Sequence, residues 1–300
     1  MTSRTRKRLI LPQPFELRLV VESHGWFDLP PFCWQRDRGT LRTAWSVAGE
    51  PLAVEISAAA NRLLVTMTSA QALAPGVASG VVATVEQMLS LDQELAEFHA
   101  QARDQDAFSW VAERGAGRML KSPTAFEDMV KVLLTTNCSW SLTVAMVKRL
   151  VDELGSEAPL GLRAFPTPQV MAERDERYYR ERVRVGYRAR ALVELARRVA
   201  SGELAPESWR DPGCARGLVE ERISSLLGFG PYAKGGLLRL LGHHDELALD
   251  SWCRAQYARR YHGGRRVSDG TIARRYASFG RYRGLALWLD LTRDWHLPSR

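Results

Sequence analysis

The chain has 300 residues with 42 Lys and Arg against 34 Asp and Glu, a net charge of +8, and is 45% apolar and 25% charged. That balance suits a folded globular chain of one or two domains with a core that needs no disulfide or metal staple, and it excludes global disorder. No apolar run approaches the ~18 residues of a membrane span.

In chain order, Arg4, Arg6, Lys7 and Arg8 form a basic start, followed by an apolar stretch too short for a secretory signal and broken by Pro12 and Pro14. A short disordered basic tail is the expectation there. Segments 15–21, 52–56 and 63–67 show the partial apolar alternation of β-strands, separated by the turn signals Arg38-Gly39 and Gly49-Glu50-Pro51. The Pro/Gly/Ala/Ser stretch at 74–80 predicts a domain boundary. Beyond it the periodicity is helical. Thr124 and Glu127 have capping-box spacing ahead of Phe126, Met129, Val130, Leu133 and Leu134. Further stripes run through Val144, Val147, Val151 and Leu154, and through Leu192, Leu195, Ala196 and Val199. All three read as core. The predicted fold class is α+β: an antiparallel β domain over residues 1–80 and a predominantly helical domain over 81–300.

Residues 251–300 hold eleven arginines against three acids, an excess equal to that of the whole chain. Such a region fits a polyanionic partner, and fits equally a solvated basic surface. The cysteines, at 33, 138, 214 and 253, have no C-x-x-C spacing and no clustered His, which argues against zinc or an iron–sulfur cluster. Free thiols with no signal segment predict a reducing, cytoplasmic setting.

The informative stretch runs from 211 to 262. Asp211-Pro212 reads as a helix start, Leu218, Arg222, Ile223, Leu226 and Leu227 follow at helical spacing, and then comes Leu227-Gly228-Phe229-Gly230-Pro231-Tyr232. Gly228 and Gly230 suit a tight bend, and Pro231 the first position of a new helix that ends near Gly242. A hairpin of this kind turns backbone N–H groups outward at a helix N-terminus, where a phosphate can sit, although the same turn also serves as a plain connector. Eighteen residues after Tyr232, Asp250 closes the run Leu247-Ala248-Leu249 and opens another helix. An N-cap role explains it fully. A carboxylate kept ionised by the helix N-terminus is the functional alternative.

The order of helix, LLGFGPYA hairpin, helix and LALD resembles the helix-hairpin-helix DNA glycosylases. Thr135-Thr136-Asn137-Cys138-Ser139-Trp140 and Val185-Gly186-Tyr187-Arg188-Ala189-Arg190 are similar to segments of the 8-oxoguanine glycosylases. Phe279-Gly280-Arg281-Tyr282-Arg283-Gly284-Leu285-Ala286 is similar to a C-terminal motif of both that group and the inducible 3-methyladenine glycosylases, and the N-terminal part, with Gly25-Trp26 and Pro31-Phe32-Cys33-Trp34, resembles the antiparallel β domain these two groups share. The resemblance implies that Asp250 is catalytic and stabilises charge on the sugar of a flipped nucleotide. It implies that Gly228, Gly230, Lys234, Asn137 and Arg283 contact DNA, with Asn137 filling the gap left by the base. Tyr232, Trp252, Tyr282 and Trp288 become base-pocket candidates, each equally readable as core. Bifunctional members carry a Lys where this chain has Tyr232, and Lys234 lies about 200° further round the helix, facing solvent or phosphate. The implied enzyme is therefore a monofunctional, base-excising hydrolase without lyase activity, monomeric, acting on double-stranded DNA with a damaged, preferentially alkylated purine. It needs no cofactor, although a monovalent cation at the hairpin is admitted. The alternatives are an 8-oxoguanine-type glycosylase and a non-catalytic DNA-binding protein.

Overall fold

The computed structural model describes residues 2–211 and 213–297. It opens with a five-stranded antiparallel sheet of β1 (Ser3–Ile10), β2 (Cys33–Gln35), β3 (Thr40–Val47), β4 (Glu50–Ala59) and β5 (Arg62–Ser69), in the order β1-β5-β4-β3-β2. The basic start is thus not a disordered tail. β1 pairs with β5 from Ser3 opposite Ser69 to Ile10 opposite Arg62. An edge strand needs main-chain partners on one side only, and basic side chains there discourage further strand addition. Arg4 also pairs with Glu55 at 3.2 Å.

The strand expected over 15–21 is instead a short helix, α1 (Leu17–Val21). Its buried Leu17, Val20 and Val21 satisfy a helical spacing while its buried Leu17, Leu19 and Val21 satisfy an alternation, and five residues are too few to separate the two periods. The 74–80 stretch begins a helix rather than a linker. Pro75 takes the first position of α2 (Pro75–Met88), whose Ala78, Val81, Val85 and Met88 face the core, so residue 80 falls inside a helix.

The rest is helical apart from the two-residue strands β6 (Glu157–Ala158) and β7 (Leu162–Arg163). The helices are α3 (Ala96–Arg103), α4 (Ser109–Arg114), α5 (Ala125–Thr135), α6 (Trp140–Leu154), α7 (Pro168–Ala172), α8 (Glu176–Tyr178), α9 (Ala189–Ala200), α10 (Arg216–Ser224), α11 (Pro231–Leu240), α12 (Ser251–His262), α13 (Asp269–Arg275), α14 (Arg283–Leu291) and α15 (Arg293–His296). Asp211 follows a 3-10 turn at Pro206–Arg210, and α10 starts only at Arg216; Pro212 lies outside the described residues.

Half of the capping box forms in α5. The Thr124 hydroxyl accepts from the Glu127 N–H at 3.1 Å, but the Glu127 carboxylate turns to Lys131, 2.5 Å away, and both side chains are buried. One residue on, Asp128 accepts from the Trp26 indole at 2.7 Å and from Arg210 at 2.7 Å. These contacts tie the segment between β1 and β2 to the helices. The apolar packing agrees, because sheet residues such as Leu41, Val54 and Val65 share one core with α2, α5, α6, α9, α10 and α11. A second core gathers residues 95–119 and the segment from Cys253 to Leu291. The chain crosses from the first core to the second between α11 and α12, and that crossing holds Asp250.

Candidate active site

The α10–α11 hairpin rests on its first glycine. Gly228 has φ +86°, and a Cβ there would lie 2.5 Å from the Leu133 Cδ1 on α5, so both conformation and packing require glycine. Gly230 differs. Its φ is −67° and a Cβ would meet nothing within 4 Å. Neither strain nor crowding by the protein calls for glycine here, and the bare backbone leaves room for another molecule's chain to approach. The N–H groups of the first turn of α11 face the same opening without intrahelical acceptors. The Lys234 Nζ lies 2.8 Å from Glu220 Oε1 on α10. The partner of this cation is thus a carboxylate across the hairpin, at a position that any phosphate would have to contest.

Gly235 positions the aspartate. A Cβ on it would come within 2.8 Å of the Ala248 Cβ, so the Leu247–Leu249 segment lies directly against α11. Asp250 follows as the N-cap of α12, its Oδ1 accepting from the Cys253 N–H at 2.6 Å. The other carboxylate oxygen receives no N–H or guanidinium donor among the described residues. Burial and the neighbouring Asp250 charge push the Cys253 thiol up to about 12, which makes it inert at neutral pH. Burial first, then the Asp250 charge, also raises the Tyr232 phenol.

Tyr232 on α11 lies near enough to Asp250 to feel its charge, and Trp252, two residues further on in α12, belongs to a tryptophan cluster. The rings of Trp252 and Trp288 are 5.8 Å apart, each within 6 Å of Trp295, and the Trp288 indole donates to the Ser23 carbonyl at 2.8 Å. Sequence reasoning passed over Trp295, and also Arg239. That guanidinium is 6% exposed, lies 5.2 Å over the Trp288 ring, and donates from Nη2 to the Leu247 carbonyl at 3.0 Å, while its Nε–H is buried without a partner. Burial lowers its pKa; Cys253, Tyr232 and Asp250 oppose the shift.

Tyr282 and Arg283 belong elsewhere. The buried Tyr282 ring packs against Phe98 at 5.3 Å and His244 at 6.3 Å, and Arg283 donates to the Asp245 carbonyl at 2.7 Å. Both line a cavity of about 720 Å³ with Gln93, Arg216 and Gly242, and Asp250 is not part of its wall.

Asn137, at φ +48° in the α5–α6 bend, is exposed and donates to the Tyr187 hydroxyl at 3.2 Å. Tyr187 is 63% exposed, and the Arg188 guanidinium lies 4.6 Å over its ring and bonds the Thr136 carbonyl. The two sequence segments singled out on either side of α6–α8 therefore meet at one surface. The available signal for Tyr187 was a large aromatic beside a flexible Gly186 where no apolar stripe needed it. Among the described residues no group of His, Cys, Asp and Glu is arranged to hold a metal ion, and no helix is long and apolar enough to cross a membrane.

The N-terminal antiparallel sheet followed by a mostly helical body is a fold that this chain shares with solved DNA glycosylase structures. Among solved structures, the chain is similar to a 3-methyladenine DNA glycosylase from Archaeoglobus fulgidus, with a TM-score of 0.77 and 21% identity over 97% of this chain and 99% of that one. It is also similar to the Clostridium acetobutylicum 8-oxoguanine glycosylase/lyase in complex with double-stranded DNA, with a TM-score of 0.71 and 16% identity over 99% of each chain. A Schizosaccharomyces pombe 3-methyladenine DNA glycosylase in complex with abasic DNA matches at a TM-score of 0.53 and 17% identity, over 69% of this chain and 100% of that one. No protein-family model matches the chain, and no curated protein matches it in sequence.

Proposed function

We propose that the protein is a monofunctional DNA glycosylase, acting as a monomer on double-stranded DNA and hydrolysing the N-glycosidic bond of a damaged purine. The observation that carries this reading is the placement of Asp250. It is held by one oxygen at a helix N-terminus, at the end of a segment packed on the hairpin helix, near Tyr232 and two residues before Trp252 of the tryptophan cluster.

Each part has a physical task. The open backbone at Gly230 and the first turn of α11 receive phosphate, and the basic C-terminal region adds salt-dependent attraction. Asn137 and Tyr187, exposed and bonded to one another, enter the duplex where the nucleotide leaves it. The C1′–N bond then breaks with its electron pair departing on the base, and positive charge grows on the deoxyribose opposite the Asp250 carboxylate. Water adds its oxygen to C1′. One of its protons passes to the carboxylate and from there to solvent or the released base. With Tyr232 at the hairpin position and Lys234 paired to Glu220, the described residues of the hairpin offer no free amine for a Schiff base. No step depends on a monovalent cation at the bend.

The test is a screen of base release from duplexes carrying methylated, deaminated and oxidised purines, run beside borohydride trapping on abasic DNA. Release without a trapped adduct is expected. A trapped adduct that vanishes in Lys234→Ala refutes the monofunctional reading, and no release from any duplex refutes the enzyme.

One observation favours a second reading, a non-catalytic DNA binder: the N-cap bond to Cys253 accounts for Asp250 by itself. An Asp250→Asn protein that still released base would remove the catalytic assignment.

A further inference from the structure

Tyr232, Gly236 and Arg239 stand at i, i+4 and i+7 on α11 and share one helix face. A Cβ on Gly236 would meet no atom within 4 Å, so there is free space between the tyrosine and the arginine. The same face meets Asp250 through the Gly235–Ala248 contact and Trp288 through the Arg239 guanidinium. A guanidinium carries five N–H donors. At 6% exposure, Arg239 gives one bond to Leu247, leaves Nε–H buried and unpaired, and forms no ion pair among the described residues. A buried cation left so poorly satisfied is costly to the fold, and the cost is offset when a ligand presents acceptors to it.

Resting on the glycosylase reading, we propose that Arg239 is the residue that selects the base: its guanidinium reads a neutral purine through carbonyl-oxygen or ring-nitrogen acceptors and repels a purine made cationic by alkylation. Two physical arguments support this. A fixed positive charge in a site shielded from water raises the energy of a second cation nearby. One face of Trp288, which could otherwise attract a cationic base, is already covered by Arg239. The sequence reading assigned these aromatic walls to an alkylated purine without any sign of the cation beside them.

The experiment measures single-turnover release of hypoxanthine, 8-oxoguanine and 7-methylguanine from otherwise identical duplexes. Wild type, Arg239→Met and Arg239→Lys are compared, with the folded state of each followed by thermal melting. Wild type is expected to release at least one of the two neutral bases faster than 7-methylguanine. Arg239→Met is expected to slow that neutral base by at least about tenfold, the loss of a paired hydrogen-bond contact, while 7-methylguanine release holds or rises. Arg239→Lys keeps the charge but not the fork, so it should discriminate against 7-methylguanine and still read the neutral base poorly. Faster release of 7-methylguanine than of either neutral base by wild type overturns the assignment and leaves the glycosylase standing. So does an equal slowing of all three bases in both folded variants, which marks Arg239 as structural. If the methionine protein does not fold, the lysine protein decides alone. If wild type releases none of the three, the assignment falls, and the wider screen above decides separately whether the enzyme falls with it.

Discussion

Asp250 serves two purposes that substitution can separate. As an N-cap it satisfies the Cys253 N–H through one oxygen. As a carboxylate it supplies the charge required by the sugar cation. Asp250→Asn keeps an acceptor at the cap, since Asn caps as well as Asp, and forfeits only the favourable charge at a helix start, about 0.5 kcal/mol. Asp250→Ala removes the cap as well and should cost about 1 kcal/mol, a fall of a few degrees at most in melting temperature for a chain of this size. The catalytic loss should be unlike either figure. Removing one preorganised electrostatic partner of a transition state costs about 3 kcal/mol or more, at least a hundredfold in rate. Single-turnover release on the best duplex from the screen, read beside urea denaturation of the three proteins, separates the two scales. The expected pattern is nearly equal, severe loss of rate in both variants with a stability gap between them. Rates that track stability, with the Asn protein close to wild type, would show that residue 250 holds a helix and nothing more.

Three further outcomes follow from the fold. Lys131→Met strands the buried Glu127 carboxylate and should destabilise by about 3–5 kcal/mol in urea, whereas Glu127→Gln with Lys131→Met should recover much of that; a single variant as stable as wild type contradicts the pairing. Gly228→Ala forces both a left-handed residue and a clash with Leu133, so it should lower stability by about 1–3 kcal/mol, while Gly230→Ala should leave stability nearly unchanged and weaken DNA binding; equal stability losses at the two glycines would argue against the distinction. Burial holds His24 neutral, its pKa lowered to about 4, with its ring nitrogen 2.6 Å from the Leu120 carbonyl. Because the folded value lies below the unfolded one, this residue's contribution to stability is fully present above about pH 6.5 and is lost as pH falls toward 4, by on the order of 3 kcal/mol; urea midpoints between pH 4.5 and 7.5 should slope accordingly, and His24→Gln should reduce that slope, the remainder coming from the buried His244 and His296.

Much of the architecture was legible because its signals are local. Gly-x-Gly-Pro marks a bend followed by a helix start, and an aspartate closing an apolar run marks a cap, whatever packs around them. What escaped was set by partners far away in sequence. Arg239 lies in Leu237-Leu238-Arg239-Leu240-Leu241, where an arginine reads as the solvent side of a helix; its burial comes from Trp288 and from the chain crossing at Leu247. Lys234 was read as a solvent or phosphate contact because helical geometry gives its direction and not its neighbour, and the packing of α10 beside α11 is what brings Glu220 within reach. Tyr282 sits in a motif whose order along the chain gave no hint that its ring turns toward Phe98 and His244 rather than toward Asp250. The basic start was mistaken for a tail because an edge strand carries almost no apolar pattern, and its partner β5 lies more than fifty residues downstream.

The Trp26–Asp128–Arg210 bond set has a bearing on ancestry. This buried carboxylate takes one donor from beside the sheet, one from a turn among the helices and a third from the Ser122 N–H, so it joins the two parts. Recombination that swapped the front end for an unrelated sheet would strip the indole donor from that acid and leave it the Ser122 N–H and Arg210 alone. Lineages carrying this arrangement should therefore pass on both parts together, changing loops and surface while the three joined residues drift slowly or not at all.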